Sequence, residues 1–248
     1  MKKLKAIGFD LFNTLITVEA HALGTALSRL IRTLNMEGIP IEEDQFVEAH
    51  RKAATGFLEQ IKATGRETHN SFWISKALEN LGHDYPPDSP QVSAAVDSYF
   101  SSFILHCHLI PGTLQLLETL GHGYRLGMLS NFTHPPAARE IIHALGISKF
   151  FDTILISGEI GFRKPHPLVF KMLLEELEVR QDELIYIGDD PEADIEGALR
   201  SGIRPVLTTY VRDNNIAYAP GILSRGYEQV DPGIETISDW QDLLGLIR

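Results

Sequence analysis

The sequence predicts an α/β fold in which an open parallel sheet, covered by helices on both faces, carries a smaller all-helical insertion. A short apolar run lies near the start of the chain, and further runs alternate with amphipathic helical segments throughout the second half. This alternation is typical of a parallel sheet. The stretch between these parts has helical periodicity and no convincing strand. Polar clusters follow several of the runs, where ligands of such sheets bind.

The predicted sheet begins with the apolar run at residues 6–9. The alternation of strands and helices resumes after Pro111 and Gly112, which interrupt the preceding helical pattern. Further strands are predicted at residues 124–129, 153–156, 184–187 and 206–209. Residues 213–230 contain Gly, Pro and Asn and predict a long irregular connection.

The insertion opens with leucines 23, 27, 30 and 34 at helical spacing. Gly38 and Pro40 close this first helix, and further helices are predicted at about residues 42–62, 71–81 and 89–103. We therefore predict a helical domain over residues 17–106, and a catalytic core made of residues 1–16 and 107–248.

The composition narrows the possible partners. A formal net charge of -11 argues against a general nucleic-acid or membrane-surface binder, since polyanions would be repelled. A single cysteine, Cys107, allows no internal disulfide, and no run approaches the roughly 20 apolar residues of a membrane span. These features favour a cytoplasmic protein, and we interpret the N-terminus as mature sequence. They specify no oligomeric state.

Asp10 closes the first apolar run and is the best candidate nucleophile. Four polar clusters lie after predicted strands or just ahead of helices, at one edge of the predicted sheet. They are residues 10–14, Ser130 with Asn131, Lys164 with Pro165, and residues 188–190 followed by Asp194.

Each cluster also has a purely structural interpretation. Asp10 alone fits a turn aspartate, Ser130 a helix cap, and Lys164 a surface lysine. Asp190 followed by Pro191 is a very good helix start. These interpretations do not explain why all four clusters fall at strand ends in one order, so jointly the functional interpretation is favoured.

Taken together, the clusters resemble the four motifs of the haloacid dehalogenase superfamily of hydrolases. The match is tightest over residues 157–165 (SGEIGFRKP) and 188–198 (GDDPEADIEGA). The resemblance implies a Rossmann-like core, and it identifies the insertion between the first and second motifs as a cap domain. It implies that Asp10 is the nucleophile of an enzyme that forms an aspartyl-phosphate and hydrolyses it with water.

The resemblance also implies roles for the other clusters. Asp10, Asp189, Asp194 and the backbone carbonyl of Phe12 would bind Mg²⁺, a hard cation that prefers oxygen ligands. Lys164 would neutralise Asp10 and the transferring group, while Thr14 would orient Asp10. The Ser130 hydroxyl, in the cluster that includes Asn131, would hold phosphoryl oxygens together with the backbone at a helix start near His134.

Phe12 departs from the pattern of the phosphatases in this superfamily. They usually carry an aspartate two residues after the nucleophile, which protonates the leaving oxygen and later activates water. Loss of such a group costs roughly a hundred- to ten-thousand-fold in rate, least where the leaving group is good, as in an acyl phosphate. The 2-haloacid dehalogenases carry an aromatic residue there and need no metal, but they usually lack the first acid of the fourth motif. Asp189 therefore favours the magnesium-binding form.

Three functions remain open on these residues. The first is a magnesium-dependent phosphohydrolase acting through Asp10 on a small anionic substrate, such as a phosphorylated metabolite or acyl phosphate. The second is a metal-independent 2-haloacid dehalogenase. The third is a catalytically weak binding or regulatory protein. Phe12 motivates the last two.

Weaker candidates lie in and beside the cap. His106, Cys107 and His108 have a metal-like composition but no further ligands at the expected spacing, so packing is the favoured interpretation. An Asp, Glu or His of the cap near the nucleophile would replace the missing acid. The cap residues that could face the substrate, although packing or solvent contact is favoured for each, are Arg51, Arg66, His69 and Trp73.

Overall fold

The computed structural model describes residues 3–216 and 230–247. Its strands in chain order are β1 Ala6–Phe9, β2 Ile16–Val18, β3 Cys107–Leu109, β4 Arg125–Ser130, β5 Thr153–Ile156, β6 Leu184–Gly188, β7 Arg204–Thr208 and β8 Glu235–Ile237. Six of them form one sheet in the order β5-β4-β1-β6-β7-β8, and every pairing in it is parallel. The α/β prediction is confirmed.

The order of the strands places the first strand at the centre of the sheet. From β1 the sheet extends through β4 and β5 on one side and through β6, β7 and β8 on the other. The direction of winding thus reverses at β1, and an open parallel sheet binds its ligands beyond the carboxyl ends of the strands at such a reversal. All four residues of β1 are buried, because helices cover both faces of the sheet.

The insertion consists of four helices: α1 Ala22–Met36, α2 Glu43–Thr64, α3 Asn70–Asn80 and α4 Pro90–Leu105. Helix α4 starts as its sequence indicates, with Ser89 accepting a hydrogen bond from the Val92 amide and Pro90 at its first position. The remaining helices are α5 Thr113–Gly121, α6 Pro135–Ala144, α7 Ser157–Ile160, α8 Pro167–Glu176, α9 Gly197–Arg200, α10 Tyr210–Asp213 and α11 Trp240–Leu246. The helical cap is confirmed, and the bounds of 17–106 stay a prediction.

Three short strands were not predicted. Strands β2 and β3 pair antiparallel and form a two-stranded ribbon at the point where the chain leaves the core and returns to it. Strand β8 adds an edge to the sheet. Each has three residues, which is too short for a periodic pattern in the sequence. Most of the irregular connection predicted at 213–230 lies outside the described residues.

None of the helices within the described ranges is both long and apolar enough to cross a membrane.

Candidate active site

Asp10 directly follows the central strand β1 and is buried. Its amide donates to the carbonyl of Ile187 across the sheet at 2.8 Å, which holds the start of the turn in place. The Thr14 hydroxyl approaches Asp10 Oδ2 at 3.4 Å. Asn13 between them has a φ of 57°, a left-handed conformation that Asn accepts better than most residues. The turn therefore directs the carboxylate of Asp10 beyond the edge of the sheet.

Three buried carboxylates meet at this edge. Oxygen atoms of Asp10, Asp189 and Asp194 lie within 4.8 Å of one another. Asp189 follows β6, the neighbour of β1, and Asp194 lies on the π-helical turn Pro191–Glu196 that comes next. Asp190 instead caps this turn, accepting hydrogen bonds from two following amides at 2.9 Å. The structure thus brings the predicted metal ligands together and confirms Asp190 as a cap.

Gly188 makes room for this arrangement. A Cβ atom at this position would collide with the side chain of Asp194. Because Gly188 has no Cβ, the side chain of Asp194 can fold back over the end of β6. There its Oδ2 accepts a hydrogen bond from the Asp190 amide at 2.9 Å. Glycine is required here for close approach between backbone and side chain.

Lys164 lies between the carboxylates. Its Nζ is 2.6 Å from Asp10 Oδ1 and 2.7 Å from Asp194 Oδ1, and it also donates to the Tyr186 hydroxyl at 2.9 Å. Asn131 fixes the backbone of Lys164 from both sides: its Oδ1 accepts from the amide at 2.9 Å and its Nδ2 donates to the carbonyl at 3.0 Å. Two predicted site residues therefore act as one unit, in which Asn131 places the ammonium group.

Tyr186 is a site residue that the sequence analysis missed. Its hydroxyl accepts from Lys164 and donates to the carbonyl of Leu129 at 3.0 Å, so it completes the donor set of the ammonium group. The available signal was a tyrosine inside an otherwise apolar buried strand, because a buried phenol hydroxyl needs a partner.

The buried acids repel one another. Burial raises the pKa of Asp10 to about 7, against the opposing pull of Lys164. Burial and the neighbouring carboxylates raise the pKa of Asp189 well above its usual value. Burial alone would lower the pKa of Lys164, but Asp10 and Asp194 outweigh it and hold the ammonium charged. The pocket therefore concentrates more negative charge than Lys164 balances.

This charge and its oxygen donors fit a divalent cation. Three carboxylates against one ammonium leave an excess of negative charge, and carboxylate oxygens are the ligands of a hard cation. The buried aspartate triad could hold a metal ion.

Ser130 ends β4, and its buried Oγ has no hydrogen-bond partner among the described residues. Helix α6 begins at Pro135 a few residues later with His134 as its N-cap, as predicted. The Ser130 hydroxyl is therefore available to an oxygen of a bound group.

An aromatic side chain, that of Phe12, stands two residues after Asp10, where phosphatases of the superfamily usually carry an aspartate. The ring of Phe12 stacks on that of Phe132, with the ring centres 5.1 Å apart and the planes at 6°. Phe132 in turn contacts Phe100 of the cap at 5.3 Å. Phe12 is 4% exposed. The second residue after the nucleophile therefore contributes to an apolar wall that spans core and cap.

A cavity of about 730 Å³ lies at Asp10. Its floor includes Asp10, Ser130, Lys164 and Asp189, and its apolar lining includes Phe12. This volume suits a small-molecule ligand.

The four cap candidates divide into two pairs. Arg51 and Trp73 line the cavity. Arg66 lies over the ring of Phe162 in the core, 5.5 Å from its centre, and His69 Nε2 is 2.9 Å from Nδ1 of His134. The first pair can reach a ligand, whereas the second pair connects cap and core.

Backbone contacts also join cap and core beside the cavity. The Glu67 amide donates to the carbonyl of Gly161 at 3.0 Å, and the Arg163 amide donates to that of Gly65 at 3.0 Å. The Ser157 hydroxyl donates to the Glu67 carboxylate at 2.6 Å. The cap thus rests on the segment that precedes Lys164.

A protein-family model described as haloacid dehalogenase-like hydrolase matches residues 4–202. The chain belongs to this family. The resemblance inferred from the four motifs is confirmed, and this haloacid dehalogenase-like chain is a hydrolase.

Two curated relatives are phosphatases. A glyceraldehyde 3-phosphate phosphatase of Pyrococcus furiosus is 30% identical over 211 residues, covering 85% of this chain and 82% of the relative. A ribulose-1,5-bisphosphate 5-phosphatase of Halopiger xanaduensis is 27% identical over 241 residues, covering 96% and 98%.

Solved structures of a putative haloacid dehalogenase-like hydrolase and of a 2-haloacid dehalogenase share the fold. The magnesium-bound YfnB protein of Bacillus subtilis has a TM-score of 0.62 at 19% identity, covering 100% of each chain. A 2-haloacid dehalogenase of Pseudomonas syringae has a TM-score of 0.68 at 22% identity, covering 98% of each chain. At these identities the likeness concerns the fold alone, so the reaction has to be argued from the site.

Proposed function

We propose that the chain is a magnesium-dependent phosphohydrolase of small phosphorylated metabolites, with Asp10 as the nucleophile. The observation that carries the proposal is the meeting of three buried carboxylates with Lys164 at the floor of a ligand-sized cavity. A metal-independent reaction gives no reason for so much uncompensated negative charge.

Asp10, Asp189, Asp194 and the backbone carbonyl of Phe12 would hold the Mg²⁺ ion. When bound, the ion reduces the repulsion between the Asp10 carboxylate and an anionic phosphate, and it polarises the phosphoryl group. Lys164 supplies a second positive charge, since its Nζ already contacts the nucleophile.

In the first step, a carboxylate oxygen of Asp10 attacks phosphorus and forms an O–P bond while the bond from phosphorus to the leaving oxygen breaks. Thr14 orients the Asp10 side chain. The Ser130 hydroxyl donates to a phosphoryl oxygen, which explains why it lacks a partner among the described residues. Water then attacks the phosphorus of the aspartyl-phosphate, which regenerates Asp10 and releases inorganic phosphate.

The leaving oxygen receives no proton from the second residue after the nucleophile, because Phe12 has no ionisable group. An alkoxide leaving group therefore has to take its proton from water, which slows the reaction by about a hundred- to ten-thousand-fold. A carboxylate leaving group needs no proton. Among phosphorylated metabolites, we propose that acyl phosphates are cleaved with the smallest loss.

Cations around the cavity support an anionic metabolite. The cationic side chains that line it include Arg51, Lys62, Arg163 and Arg200, and each of these four is also ion-paired with a nearby carboxylate. The names of the two relatives give phosphorylated sugars as their substrates. We extend this substrate class to the present chain and would test it first. A cytoplasmic location fits such a metabolite.

The test is phosphate release from a panel that includes glyceraldehyde 3-phosphate, ribulose 1,5-bisphosphate and acetyl phosphate, with Mg²⁺ and with EDTA. We expect turnover that needs Mg²⁺ and that Asp10→Asn reduces by at least about a thousandfold. Asp88→Asn, at an exposed position, is the matched control and should leave the rate unchanged. Absence of phosphate release across the panel would overturn the proposal.

Dehalogenation is the second candidate function. Phe12 cannot donate a proton to a leaving group, and a halide leaves without one. In that reaction Asp10 would attack carbon. Halide release from 2-chloropropionate that persists in EDTA would establish it, and its absence would eliminate it.

A catalytically weak binding protein is the third candidate, also on account of Phe12. It predicts tight binding of a phosphorylated ligand without turnover. A robust rate that Asp10→Asn abolishes would eliminate it.

A further inference from the structure

Three histidines surround the carboxylate of Glu19 at the point where the cap joins the core. Glu19 follows β2 and His21 directly precedes α1, while His106 follows α4 and His108 lies in β3. The Glu19 amide donates to the carbonyl of His106 at 3.0 Å. This hydrogen bond joins the two chain crossings between core and cap, which are the segment that enters the cap and the segment that leaves it. The sequence analysis assigned no further ligands to His106 and His108, and the structure corrects this by placing Glu19 and His21 beside them.

The donor atoms are close enough to share one ion. Glu19 Oε2 is 3.0 Å from His106 Nδ1 and 3.3 Å from His21 Nε2. One atom from each of these three residues lies within 4.8 Å of the others. Bonds of about 2.0–2.1 Å to a tetrahedral ion place the donor atoms about 3.3 Å apart, so small side-chain rotations bring this set to a metal.

His108 contacts the other oxygen of the same carboxylate. Its Nε2 is 2.7 Å from Glu19 Oε1. A carboxylate that binds a metal is commonly held by a hydrogen bond to its second oxygen, which orients it. His108 fills this position.

Cys107 takes no part. It lies between the two histidines in the chain but is buried, and burial raises the pKa of its thiol to about 12. Its sulfur is not among the donor atoms that lie within 4.8 Å of one another at this site.

We propose that Glu19, His21 and His106 form a binding site for a first-row divalent ion of the zinc type, with His108 orienting Glu19. Two imidazoles and one carboxylate select Zn²⁺, Ni²⁺ or Cu²⁺ over Mg²⁺, which prefers oxygen ligands. The site differs in this respect from the all-carboxylate cluster at Asp10. Its ligands come from both chain crossings between core and cap, so a bound ion clamps the two together.

The side chain of His21 is 63% exposed and that of His106 is 19% exposed. An ion can thus reach the site from solvent without opening the fold. A fourth position remains for water, as in zinc sites with three protein ligands.

The test is a calorimetric titration of the full chain with Zn²⁺ in excess Mg²⁺, so that the carboxylate cluster is occupied. We expect one ion per chain, with binding lost in His21→Ala/His106→Ala and weakened about tenfold in His108→Ala. The matched control is His122→Ala, because His122 is exposed and its Nδ1 is bonded to the Glu118 carbonyl.

Two further variants and one spectrum make the outcome specific. Asp189→Asn should keep the zinc affinity, which shows that the ion is not in the carboxylate cluster. Co²⁺ bound to the native chain should show the intense visible absorption of a four-coordinate ion, and the double variant should not. Absence of Zn²⁺ binding by the native chain, or equal binding by the double variant, would overturn the proposal.

Discussion

The ring of Phe12 lies parallel to the ring of Phe132, with the centres 5.1 Å apart. Phe12 stands two residues after the proposed nucleophile, where phosphatases of this family usually have an acid. Its side chain packs in an aromatic wall that reaches Phe100 of the cap. The position is therefore used for packing between core and cap, and the site has to work without a proton donor there.

Replacing Phe12 by an aspartate should change how strongly the rate of phosphate release depends on the leaving group. We expect Phe12→Asp to raise kcat/KM for a sugar phosphate by about a hundred- to ten-thousand-fold and to leave kcat/KM for acetyl phosphate nearly unchanged, because kcat/KM reports the steps up to release of the leaving group and not the later attack by water. Steady-state rates on the two substrates measure this. Loss of the buried ring lowers the free energy of unfolding by roughly 3–5 kcal/mol, so melting has to be checked first. The control is Phe72→Asp at a position that is 49% exposed. An equal change for both substrates would contradict the prediction.

Lys164 holds the acids together, so its removal should affect both folding and rate. Lys164→Met leaves Asp10 and Asp194 buried without their cation, and we expect a loss of about 3–5 kcal/mol in the free energy of unfolding. Denaturant melts without metal measure it, and phosphate release should fall at least about a hundredfold. Lys171→Met removes an exposed lysine paired with Glu175 at 3.5 Å and should change stability by less than about 0.5 kcal/mol. Similar stability of the two variants would be incompatible with a structural role for the Lys164 ion pairs.

Gly188 should tolerate no side chain. In Gly188→Ala the new Cβ collides with Asp194, which has to move away from Lys164 and from the Asp190 amide. We expect activity to fall by at least about tenfold, because the metal ligands lose their mutual geometry. The control is Gly24→Ala in helix α1, where a Cβ has open space; it should stabilise the protein by up to about 1 kcal/mol. Full activity of Gly188→Ala would show that Asp194 is not needed in this position.

The burial of His134 beside His69 should make stability fall in acid. Burial lowers the pKa of His134 to about 4 and also lowers that of His69. Asp97, with Oδ1 3.8 Å from His134 Nε2, opposes this shift, and the ring of Phe100 covers the imidazole. Since the unfolded chain takes up protons near pH 6.5 and the folded one near 4, stability is complete above 6.5 and is lost as the pH falls toward 4.

His134→Phe should therefore flatten the dependence of the free energy of unfolding on pH between 7 and 5, as measured by urea melts. Part of the slope remains, because burial also lowers the pKa of His50 to about 4. His122→Gln, at an exposed position, should keep the native slope. An unchanged slope in His134→Phe would rule out His134 as a source of the acid sensitivity.

Much of the fold could be predicted from the sequence because its signals are local. The apolar runs, the helical periodicity of the insertion and the capping residues Ser89 and Asp190 act over a few neighbouring positions. The four polar clusters could be placed at one edge because the strands of the sheet run parallel.

The sequence by itself determined the α/β core, the helical cap between the first and second motifs, and the residues available for chemistry. Only the tertiary structure decided which of them meet. Lys164 lies between Asp10 and Asp194, Tyr186 completes its contacts, and Glu19 reaches His106, 87 positions further along the chain. The physical reason is that such contacts depend on how distant segments close on one another, and no local pattern of side chains encodes that closure.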